Sequence, residues 1–357
     1  MLNFWDYMVI ALYVVALVVV GWLASKKVKN AKDYISASRG LGIIVMIGSL
    51  AGAAIGAGGT IGLAGDVYTK GISGYWQIIG WNIGWLMLVF MAKRLWSTGA
   101  SSVVDVFGKS CGKTTRLAAA LACLVFSVPA LSTQLIGLGN MFKVVFSVAG
   151  IDLDYKIFVT ISCIIMVCTL VLINVFPNLE NPSSVLTFSF LNIFPPVIRG
   201  LSVIALIAVV LSTATIWVQN SGKIFGSDIY AHVKKNVTED EVLKVCKWAT
   251  IFWAIVSWVI AMFIPQVMIM FNIQTNLYGS SIFFPLVAVL FWKGATKQGI
   301  TAGIFVGMIS SLILTIAGNS PVDPVVICSL LNGVTLVVVS LLTKNKEGSA
   351  LNKFAAE

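Results

Sequence analysis

Two stretches of this chain carry atoms suited to holding a hard cation. Leu211-Ser212-Thr213-Ala214-Thr215 places three hydroxyls within about one helical turn, deep in an apolar run. Hydroxyl and carbonyl oxygens are what a hard cation takes. The competing reading is that each hydroxyl bonds back to its own helix, as Ser and Thr commonly do in membrane helices. The second stretch, GSLAGAAIGAGGTIGLAG from Gly48 to Gly65, crowds Gly56, Gly58 and Gly59 into the middle of an apolar run. Glycine there costs helix stability. An unwound turn frees carbonyls, which must line a protein cavity and not lipid. The same glycines also stand four apart, at Gly52 and Gly56 and at Gly58 and Gly62, with Gly80 and Gly84 repeating the spacing. Such small-residue faces let helix backbones approach closely.

Only membrane helices can position these groups. The 357 residues are 58% hydrophobic and 11% charged, with a mean hydropathy of +0.96. A soluble domain carries roughly a quarter charged residues, so most of this apolar surface must face lipid or other buried helices. Runs such as IALYVVALVVVGW (10–22) lack the alternation of a β-barrel. In lipid, every backbone amide in such a run has to be satisfied within a helix. The spans predicted are 5–25, 41–67, 72–92, 117–149, 157–176, 197–219, 248–264, 274–292, 298–317 and 322–343. The first reads as a transmembrane helix and not a signal peptide, because its start carries Asp6 and no Lys or Arg and the basic residues follow it.

The net charge of +10 lies mostly in the connections between these runs, around Lys26–Arg39, Lys93–Arg116, Lys223–Lys247, Lys293–Lys297 and the tail. The positive-inside rule places these connections in the cytoplasm, with the N-terminus outside and the C-terminus inside. Charge in this pattern points to a lipid bilayer and not to nucleic acid. Counting spans forward from the N-terminus puts the Pro177–Pro196 connection inside. Counting backward from the tail puts it outside. The disagreement implies an odd number of helices missing between about 117 and 196, or a re-entrant run.

At this point four passages resemble the sodium:solute symporter family, which includes proline, pantothenate and sodium–sugar carriers. They are IGAGGTIGLAGDVYTKGISGYW (55–76), the FPNLENPSS…FPPVIRGL stretch (176–201), ALIAVVLSTATIWVQNSGKIFGSDIY (205–230) and FPLVAVLFWKGATKQGITAGIFVG (284–307). The resemblance runs from about 5 to 343. It implies an all-α polytopic membrane protein with an inverted-repeat, broken-helix secondary transporter fold. Within one transmembrane domain it gives a leading helix at 5–25, first-repeat helices at 41–176, second-repeat helices at 197–292, C-terminal helices at 298–343 and a cytoplasmic tail at 344–357. About three internal helices appear absent relative to the family, so the fold is expected to be incomplete. By position, the resemblance places a sodium ion, co-transported rather than resident, at the carbonyls of Gly52, Ile55 and Val209 and the hydroxyls of Ser212 and Thr213. It turns Gly56, Gly59 and Thr60 toward a substrate cavity. Gln77 and Asn82, polar within the next helix, either reach that cavity or bond between helices.

The implied function is sodium-coupled symport of a small organic solute of the amino acid, carboxylate or sugar class, by alternating access in the plasma (inner) membrane. One alternative is an internally deleted remnant that binds sodium without transporting. A membrane enzyme is disfavoured. Gly108-Lys-Ser-Cys-Gly112-Lys113-Thr114 falls one residue short of a phosphate-loop spacing and reads as a linker. His232 is the only histidine, and no nucleophile motif accompanies it. The cysteines form no CxxC pair and read as small buried residues. Lys143 reads as a snorkelling residue, and Asn236-Val-Thr238 falls on the predicted cytoplasmic side.

Overall fold

The computed structural model describes residues 4, 6, 8, 12, 15, 55–70, 73, 74, 76–148, 154–157, 159, 160, 198–234, 236–317 and 323–344. Its elements among these residues are helical throughout. The chain is non-helical at 55–57, then winds as a wide π-type turn, Gly58–Gly62, into α1 (Leu63–Lys70). There follow α2 (Trp76–Ser97), α3 (Val103–Cys111) and α4 (Lys113–Val148). Next comes α5 (Ile198–Lys223), which runs on through a second π segment, Ile224–Tyr230. The remaining helices are α6 (Glu239–Phe263), α7 (Val267–Tyr278), α8 (Phe284–Phe291), α9 (Lys297–Ala317) and α10 (Pro324–Thr343). A third π segment, Gly279–Phe283, joins α7 to α8. Six of these rods are long and apolar enough to cross a membrane.

Hydropathy located the apolar middles of these helices and missed their ends. The span expected at 197–219 continues helically to Val233, and the one expected at 248–264 begins at Glu239. The extra turns carry Lys223, Asp228, Glu239 and Asp240, residues that hydropathy alone assigns to loops. The span 157–176 is described only in its first turn, and the Pro177–Pro196 connection lies outside the described residues.

The chain divides into two compact units. One comprises 1–78, 128–222 and 239–271, and the other 79–127, 223–238 and 272–357. In the first, the second half of α4 is the central element. Leu131, Leu135, Ile136, Leu138, Met141 and Phe142 are all essentially buried. A helix apolar on every side belongs inside a bundle. Its polar residues are tied to neighbouring backbone. Ser132 Oγ donates to Ser257 O (2.9 Å), and Asn140 Nδ2 donates to Pro265 O (3.0 Å). Asp6, fully buried, accepts from the amide of Gly200 in the first turn of α5 (3.2 Å), where a carboxylate meets both an orphan N–H and the positive end of the helix dipole.

In the second unit, α9 and α10 pack along a stripe of small residues at Gly299, Gly303, Gly307 and Ser311. A β-carbon at Gly303 would lie 2.8 Å from Asn332 Oδ1, and one at Gly307 would meet the carbonyl of Ser280. Asn332 donates to the carbonyls of Ser280 (2.5 Å) and Ser281 (3.2 Å), acceptors that the wide turn leaves off the regular ladder. These glycines are sites of close packing, and at Gly80 and Gly84 a β-carbon would have no neighbour within 4 Å among the described residues.

The stretch resembling a phosphate loop ends α3 and begins α4. α3 starts with a capping exchange, Ser102 Oγ accepting from the Asp105 amide (3.0 Å) while Asp105 accepts from the Ser101 amide (3.0 Å). Lys109 Nζ donates to Gly99 O at the end of α2 (2.7 Å).

Candidate functional site

The break at 55–57 and the hydroxyl run of α5 lie in the same unit and touch. Thr213 Oγ1 donates to the carbonyl of Ile55 (2.9 Å) and lies 3.1 Å from the carbonyl of Val209. Ser212 Oγ donates to that same Val209 oxygen (2.9 Å). A carbonyl has two lone pairs and can accept both. Ile55 O, Val209 O, Ser212 Oγ and Thr213 Oγ1 thus form one cluster of neutral oxygens. Thr213 is buried and Ser212 partly so. Thr215 Oγ1 bonds only within its own turn in the bonds described, to Leu211 O (2.9 Å). The two readings of the hydroxyl run therefore divide. Ser212 and Thr215 bond back along α5, while Thr213 also reaches across to the broken segment.

The broken segment is held from its other side by a residue the sequence reading passed over. Gln134, 3% exposed on α4, accepts from the amide of Ala57 (2.8 Å). That amide immediately precedes the wide turn Gly58–Gly62. The fit is close: a β-carbon at Gly56 would lie 2.7 Å from Gln134 Oε1 and 2.8 Å from Thr213 Cγ2. Gly58 lies against the ring of Phe271 and Gly62 against Val267. An amide side chain within the 117–149 run, one of two there with Asn140, was the available signal for Gln134. Another is Gln274 of α7, in the second unit, whose buried Oε1 has no hydrogen-bond partner among the described residues.

The expected substrate residues are only partly drawn together. Gly56 is buried, and Gly59 and Thr60 are half-buried in the π turn. The Thr60 hydroxyl bonds back to Gly56 O (2.8 Å). Asn82 is exposed on α2, in the second unit. Gly52 and the side chain of Gln77 lie outside the described residues.

Four uncharged oxygens around a break in one helix and the middle of another are chemically suited to a singly charged hard cation. Divalent ions of the same type favour carboxylates. An all-helical integral membrane protein with such a break has the architecture of a secondary transporter. The chain belongs to the Sodium:solute symporter family, whose model matches residues 34–175 and 155–307. It is 25% identical over 166 residues to the osmoregulated proline transporter OpuE of Bacillus subtilis (strain 168), covering 44% of this chain and 33% of that one. It is 29% identical over 121 residues to the uncharacterized symporter YwcA of the same organism, covering 33% and 24%. The alignments thus span about a third or less of these relatives' length. The fold matches that of a Na+-coupled sialic acid symporter solved in a substrate-bound outward-open state. The TM-score is 0.72 at 14% identity, covering 97% of this chain and 99% of that one. Because the likeness extends through nearly all of both chains, the reading as an internally deleted remnant is not favoured. The family and the fold are those of transporters.

Proposed function

We propose that this protein couples the movement of sodium down its gradient to uptake of a small organic solute. The observation carrying this reading is the Thr213–Ile55 contact, which brings hydroxyl oxygens of α5 to a carbonyl of the broken segment. Sodium is cargo here. It would be held by Ile55 O, Val209 O, Ser212 Oγ and Thr213 Oγ1, with the carbonyl of Gly52 as a further ligand.

The oxygens that now hydrogen-bond to one another would turn to the ion. Thr213 would then link α5 to the broken segment through the cation as well as directly. That is how ion binding would order the turn at Gly56–Thr60 and complete a solute cavity, a coupling free energy between two sites. Gly56 and Gly59 are the backbone positions proposed to admit solute closely, and Thr60, Gln77 and Asn82 the polar contacts. Proline transport in one relative and sialic acid in the fold neighbour support a small polar or charged organic solute. The basic connections support an N-terminus outside, a C-terminus in the cytoplasm and residence in the plasma membrane.

The test is sodium-dependent thermal stabilisation of the purified chain, with potassium as control. A ligand that binds the native state raises its apparent stability by mass action. A sodium-specific rise, absent from a Ser212→Ala, Thr213→Ala double variant, is expected. No rise in the parent protein would remove the ion site from consideration.

A further inference from the structure

The helix that carries Ser212 and Thr213 does not stop at the membrane's apolar middle. It continues unbroken to Val233, and Asp228 lies 15 residues beyond Thr213, about 22 Å along the axis. Asp228 is 3% exposed and sits in the π segment Ile224–Tyr230. Wide turns of this kind recur at functional sites.

Facing it, within the second unit, is Arg116 at the start of α4. Arg116 Nη2 is 2.6 Å from Asp105 Oδ1 of α3, and Arg116 Nη1 is 3.9 Å from Asp228 Oδ1. Ser102, the cap of α3, lies 3.5 Å from the other Asp228 oxygen. Lys109 is 3.4 Å from the outer oxygen of Asp105. The guanidinium lies flat on Gly108, where any β-carbon would collide with it. A buried guanidinium shared by two carboxylates is costly to desolvate, and its retention calls for an explanation beyond stability.

The two arms are unequal. The pair with Asp105 is short and joins neighbouring segments, α3 and α4. The contacts to Asp228 are long. Lys223, five residues before it on the same rod, also reaches the corner, its exposed amine donating to Ser101 O (3.2 Å). Separation is easiest along these long contacts on the α5 side. If it occurred, Arg116 would keep Asp105 and would not be left alone in a dry site, so the network can open without stranding its cation.

We propose that Arg116 and Asp228 form a releasable ion latch, holding the far end of the ion-site helix to the α3–α4 corner and letting go during the transport cycle. The proposal rests on the ion-site reading only for its link to sodium. The latch itself stands on the network.

Cys111, the last residue of α3, is a built-in reporter. It is 4% exposed, and burial pushes its thiol up to about 12, so loosening of the α3–α4 corner should expose it and raise its reactivity. The experiment is labelling of the full chain in detergent with a small maleimide, read peptide by peptide by mass spectrometry, with and without sodium. In the absence of sodium, Asp228→Asn is expected to raise the Cys111 labelling rate about tenfold, while Cys123, buried in α4, stays at its parental rate. Labelling follows the population of the open form when closing is fast. Asp228→Glu, which keeps the charge, should restore slow labelling. Unchanged Cys111 labelling in Asp228→Asn overturns the latch, and so does a rise shared equally by Cys123, which reports general loosening. If Asp228→Asn does not fold, Asp228→Ser, a smaller neutral side chain at the same position, carries the same comparison and the same two overturning results. The sodium arm is scored separately. Slower Cys111 labelling of the parent protein in sodium than in potassium supports the link to the ion site, and its absence counts against that link while leaving the sodium-free comparison to decide the latch.

Discussion

The Thr213 hydroxyl stands 2.9 Å from the carbonyl oxygen of Ile55, a residue 158 positions earlier in the chain. This contact joins a hydroxyl in the middle of α5 to the segment where helical winding fails. Replacing Thr213 by valine keeps the shape and removes the oxygen. The expected loss is about 1–3 kcal/mol of sodium binding, roughly 5- to 150-fold in the midpoint of a sodium titration followed by thermal stability. Thr215→Val, two residues on, should leave the midpoint where it was. Equal effects at the two positions would argue against the proposed site.

Gln134 should matter for the fold of the break itself. Gln134→Leu leaves the Ala57 amide buried without its acceptor, a cost of about 1–3 kcal/mol. Thermal unfolding in sodium-free buffer should therefore shift downward. A melting temperature equal to the parent's would mean that the amide finds another partner.

Glycines that look alike in the sequence should respond in opposite ways. Gly307→Ala drives a β-carbon into the backbone carbonyl of Ser280, which cannot rotate away, and overpacking of this kind costs about 1–3 kcal/mol. Gly80→Ala meets nothing within 4 Å among the described residues and gains helix propensity, so it should be neutral or stabilising by up to about 1 kcal/mol. Gly58→Ala should destabilise through the Phe271 ring, and Phe271→Leu in the same chain should recover part of the loss. The melting temperatures of the four variants test all three statements together.

Acid should weaken the α3–α4 corner. Burial raises the carboxyl of Asp105, but the Ser101 amide and the charges of Arg116 and Lys109 outweigh it and hold the group below its ordinary value of 3.8. A depressed carboxyl gives stability that is complete above the unfolded value and is lost as pH falls through the folded one. Its contribution should persist at neutral pH and fade below about 3.8. The melting-temperature difference between the parent and Asp105→Asn should shrink over that range. A constant difference down to the most acid point would show that the pair contributes no pH-linked stability.

Much of this architecture was legible because lipid leaves a chain few options. The apolar runs at 298–317 and 322–343 became α9 and α10 within two residues, since a run that must satisfy its own amides can only be a helix. Ser212 and Thr213 were legible because hydroxyls are conspicuous in such a run. What escaped was what hydropathy averages away. The amphipathic α3 was read as a linker because five of its nine residues are buried and the others are not, a pattern with no apolar block. The polar extension of α5 to Val233 was lost for the same reason. Gln134 escaped because a single amide among apolar neighbours says nothing of where it points until Ala57 is placed against it.

The oxygens of Ile55, Val209, Ser212 and Thr213 are all uncharged. A cation seated among them would keep its full positive charge, with no carboxylate to cancel it. Its passage from one side to the other would then be a movement of current. The work done by an inside-negative potential is about 2.3 kcal/mol per charge for each 100 mV. With an uncharged or zwitterionic solute, uptake would be driven by membrane voltage as much as by the sodium concentration difference, and a cell that lost its potential would lose much of the driving force even with its sodium gradient intact; an anionic solute carried with one sodium ion would cancel that dependence.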